Sequence, residues 1–311
     1  MNNKLLLFIL LGLLAIYGLS RLFSGKKDST FQAELIALDS TEVASLKLDP
    51  KGEEAIPFTL KKEDGRWFAT QDELTVPANE GAVQSLLAGL AMVQTKYIAA
   101  KDKDKLSEYE VEEGQGHHVQ VYDEKGKLLK DFFIGRFDVN QQARTITSFI
   151  RLNGQNEVYA VDGMQTMAFG RAFIDYRDKE LIKMKREMEV TAFDYVLSDT
   201  ALQFQKTAGG WQCGSEKLDS MKVEDYLNVL RNVSGENFAD DFDELQAAQY
   251  PQQQLIIRGN NMMEPFEVAV YRDTTRELPF VIHSNYNPNT YFASDSAGLY
   301  KKLFLPVGDL K

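Results

Sequence analysis

Apolar side chains stand at Val83, Leu86, Leu87, Leu90 and Val93, the spacing of one buried face of an α-helix. The same five positions recur exactly 140 residues later as Val223, Tyr226, Leu227, Leu230 and Val233. Each helical stripe follows a strand that opens on a turn and a tryptophan. Asp64-Gly65 precedes Trp67, and Gly209-Gly210 precedes Trp211, 144 positions on. Such dipeptides suit two-residue hairpin turns because both central residues need positive φ. The pattern predicts an internal duplication.

Alternation of apolar and polar residues predicts strands over 43–48, 56–62 and 66–70, then the helix, then a strand over 95–100. Strands at 117–122 and 128–134 flank Gly126, and strands at 149–152 and 157–161 flank Asn153-Gly154. Asp162 is placed to cap a short helix over 163–171. The second half follows the same order: strands at 190–197 and 202–206, a helix over 221–233, hairpins about Gly259 and about 285–289. A last helix is expected over 297–304, capped by Ser294 or Asp295. The expected fold class is α+β. It comprises two similar repeats, each a mainly antiparallel sheet with one principal packed helix, preceded by an N-terminal transmembrane helix. The expected divisions are 1–30 for anchor and linker, 31–180 for the first repeat and 181–311 for the second.

Residues 5–23 read LLLFILLGLLAIYGLSRLF, with Arg21 the one charge. About 20 such residues span a hydrocarbon core of roughly 30 Å. A cleaved signal peptide is the competing account, but the apolar run exceeds the usual signal core and no small-x-small site follows it. An uncleaved anchor is therefore expected. Arg21, Lys26 and Lys27 after the run would keep the body cytoplasmic by the positive-inside rule. A leading apolar segment with a four-residue tail argues for export, and an extracytoplasmic, periplasmic body on a single-pass inner-membrane protein is expected.

Charge sharpens the picture. The chain holds 35 Lys and Arg against 46 Asp and Glu, and residues 1–27 carry four of the bases and no acid. The remaining body is strongly acidic and lacks the footprint that phosphate backbones require, so no nucleic-acid partner is expected. The single Cys213 cannot form an internal disulfide.

Order, rather than any single motif, gives the chain its resemblance to a known family. Gly65-Arg66-Trp67, the stripe from Val83 to Leu90, the hairpin from Phe149 to Tyr159 and the midpoint Arg177-Asp178-Lys179 resemble the domain of unknown function 4340 family over roughly 43–304. That resemblance implies a membrane anchor, an extracytoplasmic body and, for some relatives, association with ABC transport systems of the gliding-motility type. It supplies no catalytic residues.

Candidate chemistry is sparse. His117 and His118 are adjacent on a strand and point to opposite faces, so they cannot share a metal; one should be structural and the other exposed. Zinc needs three or four ligands, and no Cys/His cluster offers them. Cys213 shares a face with Trp211 and reads as a packed thiol rather than a nucleophile. Asp240, Asp241, Asp243 and Glu244 lack the spacing of a calcium loop and fit the acidic start of a helix. Gly114-Gln115-Gly116 is too short to cradle a phosphate. Trp67 and Trp211 read as core anchors. Asp175, Arg177, Asp178 and Lys179 form the one candidate contact, an ion-pair hinge or a partner clamp.

No cofactor, no metal and no catalytic residue are expected. The function expected is that of a non-enzymatic, membrane-anchored binding or scaffold protein with a protein partner in the envelope, an accessory component of a transporter. A glycan or small-molecule module using the cleft between the copies is the alternative, and a hydrolase with dispersed carboxylates a lesser one.

Overall fold

The computed structural model describes residues 34–52, 54–243 and 251–311. The chain forms two compact units: the first runs to Glu73 and resumes over Glu80–Tyr176, and the second takes Leu74–Asn79 and Arg177–Lys311.

In the first unit the strands are β1 (Glu34–Ile36), β2 (Ser45–Asp49), β3 (Phe58–Glu63) and β4 (Arg66–Gln71). Strand β5 (Leu74–Pro77) groups with the second unit. There follow β6 (Val93–Ala100), β7 (His117–Tyr122), β8 (Leu128–Asn140), β9 (Thr145–Leu152) and β10 (Val158–Asp162). Across the first unit's sheet the order is β1-β6-β10-β9-β8-β7-β2-β3-β4, antiparallel at every pair. The β3–β4 hairpin closes through Asp64 at φ 50° and Gly65 at φ 83°, the two positive values that a tight hairpin turn demands.

The second unit holds β11 (Glu180–Lys183), β12 (Glu189–Leu197), β13 (Ala201–Thr207), β14 (Gly210–Cys213), β15 (Glu216–Lys217) and β16 (Asn232–Ser234). It continues with β17 (Asn237–Phe238), β18 (Gln253–Asn260), β19 (Phe266–Arg272), β20 (Phe280–Ser284) and β21 (Tyr291–Ser294). Its main sheet runs β15-β14-β13-β12-β18-β19-β20-β21-β17, and β11 pairs with β16 apart from it. Matched from β4 and from β14, the two sheets follow one strand order. Trp67 lies opposite Lys62 in the first and Trp211 opposite Lys206 in the second. Where the first unit has the single eight-residue β6, the second unit has β16, paired with β11 outside the main sheet, and β17 within it, with Gly235 between them. A Cβ on Gly235 would lie 2.2 Å from the Phe292 ring, so the chain passes over that ring only where no side chain stands.

The expected α+β class gives way to a mostly antiparallel β fold. Helix of about three turns occurs among the described residues only at Glu80–Ala91 and Ser220–Leu230. Helical stripes are conspicuous in a sequence, but the sheets they pack against carry most of the ordered backbone. The expected transmembrane helix, residues 5–23, lies outside the described residues. No helix among the described residues is long and apolar enough to cross a membrane.

Both helices also end sooner than their stripes suggest. Val93 opens β6 and Val233 lies in β16, so the fifth apolar position of each stripe is buried from a strand. The other four of each stripe are buried: Val83, Leu86, Leu87 and Leu90, then Val223, Tyr226, Leu227 and Leu230. Each such side chain contributes about 1.5–3 kcal/mol before entropy is subtracted. The second helix joins Phe193, Phe204, Trp211, Ile257 and Phe292 in one core. Asp219 caps it, accepting from the amides of Met221 (2.9 Å) and Lys222 (3.4 Å).

Candidate functional site

Of the four residues singled out at the midpoint, three lie in the second unit. Arg177 is only 3% exposed. Its Nη1 and Nη2 donate to the two carboxylate oxygens of Asp240 at 2.6 Å each, and its guanidinium lies 3.5 Å from the Phe238 ring centroid. The fork satisfies the carboxylate bidentately while the ring covers one face of the cation. Asp178 donates its amide to the Pro77 carbonyl at 2.8 Å, and its side chain accepts from the Glu180 amide at 2.9 Å. The Lys179 carbonyl accepts from Gly235 at 2.9 Å. Asp175 belongs to the first unit, where it accepts from the Ala172 amide at 3.1 Å. The Arg177 charge is thus committed to a carboxylate of its own unit.

The acids after Phe238 do not begin a helix within the described residues; Asp240 and Asp241 form a turn, and Glu244 lies outside the described residues. They serve as arginine partners instead. Asp241 accepts both Nη groups of Arg276, at 2.9 and 2.8 Å, and those hydrogen bonds hold its carboxyl below the usual range.

His117 and His118 do point apart, but neither is left to solvent. His117 is buried, and its Nδ1 accepts the Lys51 amide at 3.2 Å. Burial, aided by the Lys51 charge, lowers its pKa to about 4, so the ring is neutral at pH 7. His118, expected to be exposed or structural, stacks on Phe133 at 4.2 Å and meets Asp131 through Nε2 at 2.7 Å. Gln120 and Asn153 each donate to the other Asp131 oxygen at 3.0 Å. Burial would raise the Asp131 pKa, but the hydrogen bonds from Asn153, Gln120 and His118 outweigh it and lower it. The carboxylate therefore closes a self-contained cluster of β7, β8 and the turn after β9. The partner of His118 comes from a strand thirteen residues on, a pairing that only the register reveals.

Cys213 is partly buried against the second core, and burial raises its pKa, so the thiol stays protonated. Trp211 is buried and donates from Nε1 to Glu224 at 3.0 Å. Trp67, expected to anchor a core in the same way, is only half-buried. Among the described residues no group of three or more His, Cys, Asp or Glu is placed to hold a metal ion.

A surface not anticipated from the sequence lies on residues 163–176 of the first unit. Asp162 accepts from the Met164 amide at 3.1 Å and starts a short helix. The turns that follow bury Phe169, Phe173 and Tyr176. They expose Met164 (66%), Met167 (51%) and Ile174 (46%). Gly89 lets the Glu80–Ala91 helix press against this segment, since a Cβ there would lie 2.5 Å from the Gln165 carbonyl oxygen. The segment is thus packed closely on that helix while three large apolar side chains are exposed. The three-residue spacing of Met164 and Met167 was the available signal in the sequence.

A family model described as Domain of unknown function (DUF4340) matches residues 67–254. No curated protein and no solved structure matches the chain.

Proposed function

The chain belongs to the DUF4340 family, whose match covers more than half of its length, and on that premise we propose that it is a non-enzymatic, membrane-tethered scaffold that docks an envelope protein. The apolar run at residues 5–23 supplies the tether, and the body stands on the extracytoplasmic side. The observation that carries the docking role is the outward display of Met164, Met167 and Ile174 on one short segment. Large apolar side chains exposed along one segment suit an interaction surface, and methionine adapts its shape to a partner. The groups that chemistry would call on are engaged within their own units, Asp131 by three side chains and Arg177 by Asp240. A transporter subunit is the class of partner proposed.

Crosslinking in intact membranes followed by affinity capture tests this. A partner in stoichiometric yield, lost in the Met164→Glu/Met167→Glu variant with an unchanged melting curve, supports docking on that segment. Recovery of no stoichiometric partner contradicts it. Protease protection tests sidedness: a body digested only after the outer face is opened to the protease is the expected result.

A further inference from the structure

We propose that the second unit binds a single-chain alkyl carboxylate in the recess between the Ser220–Leu230 helix and the Leu299–Leu310 region. This stands independently of the docking role above, which concerns the first unit. The recess measures about 490 Å³, within the range of small-molecule sites, roughly 300–1,000 Å³. Its walls are Tyr226, Val229, Ala297, Leu305 and Leu310. Tyr226 offers it a ring rather than a donor, because its hydroxyl already donates to the Leu303 carbonyl and accepts from Tyr195. Val229 is 51% exposed although it sits on a helix whose neighbouring turns bury Tyr226 and Leu230. An apolar wall left open in this way gains free energy when hydrocarbon covers it.

The rim identifies the other end of the ligand. Lys222, Lys301 and Lys302 line the recess, in a chain whose net charge is −11. Among the described residues neither Lys301 nor Lys302 has an ion-pair partner. Lys222 donates to a main-chain oxygen of Lys311. Asp225, on the Ser220–Leu230 helix, and Asp309, in the turn Val307–Leu310, line the recess as well. Lys301 and Lys302, consecutive on the Leu299–Leu303 helix, give the rim its unpaired positive charge, and the two aspartates oppose a polyanionic head such as a nucleotide or a phosphorylated lipid. An apolar body with one negative charge at its end matches both features: hydrocarbon along Tyr226, Val229 and Leu305, carboxylate at Lys301 and Lys302.

The test is photoaffinity labelling of the full chain in its membrane with a diazirine-bearing decanoate, adducts being mapped by mass spectrometry. Labelling at Val229 or Leu305, competed by decanoate and not by decyltrimethylammonium or butyrate, is the expected result. Lys301→Gln/Lys302→Gln should cut labelling at least about tenfold with the melting curve unchanged. Ala297→Trp, which fills the recess, should abolish it. Three outcomes would overturn the proposal: no adduct above the Ala297→Trp level, labelling indifferent to loss of both lysines, or equal competition by the cationic amphiphile. Capture of a protein partner, or its failure, leaves each of these readouts unchanged.

Discussion

Arg177 and Asp240 meet through two parallel hydrogen bonds of 2.6 Å, although 63 residues separate them. The guanidinium is almost fully covered while the Asp240 side chain keeps 39% of its exposure. Neutralising the carboxylate strands a covered cation, but solvent screens part of the loss. Asp240→Asn should therefore cost the second unit about 1–2 kcal/mol, less than a fully buried pair would. Arg177→Lys should also destabilise, because an ammonium cannot form the fork or lie flat on Phe238. Urea unfolding in a Trp67→Phe background, where the buried Trp211 alone reports, measures both. Unchanged midpoints would show that the pair contributes nothing.

Leu87 and Leu227 stand at matched positions of the two helices, 9% and 3% exposed. Leu227→Ala should destabilise the second unit by about 2–5 kcal/mol, and Leu87→Ala should act on the first unit toward the lower end of that range. Differential scanning calorimetry resolves the two if each substitution shifts its own transition. An unshifted trace for either would mean that its helix is not docked.

His117 gives the first unit a pH dependence of known sign. Its folded pKa, about 4, lies below the unfolded value near 6.5, so the unfolded chain binds the proton first as pH falls. Stability contributed by the neutral ring is whole above pH 6.5 and is lost progressively down to pH 4, by roughly 3 kcal/mol. His117→Gln should flatten that part of the profile. Denaturant midpoints between pH 7.5 and 4.5 with the same slope in both proteins would contradict it.

Tyr195 donates to the Tyr226 hydroxyl at 2.8 Å, Tyr226 donates to the Leu303 carbonyl at 2.5 Å, and the Leu305 amide donates to Tyr195 at 3.2 Å. Each single change to Phe should cost about 1–2 kcal/mol. Because the two hydroxyls belong to one chain of bonds, the double variant should fall short of the sum by about 0.5–1 kcal/mol. Strict additivity in the cycle would show that the hydroxyls act separately.

Local features were readable in the sequence, and those fixed by distant contacts were not. Asp64-Gly65 adopts positive φ at both positions, as its residue types require. The apolar faces at Val83 and Val223 are buried as their spacing implies. The two helices outweighed the strands in the expected class because helical periodicity is visible in one window, whereas a sheet's extent depends on pairing across the chain. The split between β16 and β17 falls at Gly235, which passes against Phe292, 57 positions away, and no local pattern encodes that approach. Arg177 was visible as a charge at a boundary, but its partner Asp240 was read as the start of a helix. His118 was left unassigned for the same reason, since Asp131 reaches it only through the β7–β8 register. The recess at Val229 and Leu305 joins segments that share no motif.

The docking role is tested most directly by photo-crosslinking from single positions in intact membranes. A photoreactive residue at Met167 is compared with one at Met263, which is fully exposed on the β18–β19 hairpin of the second unit. The account predicts one discrete protein adduct from position 167 and none from 263. No adduct at 167, or the same adducts from both positions, would contradict it.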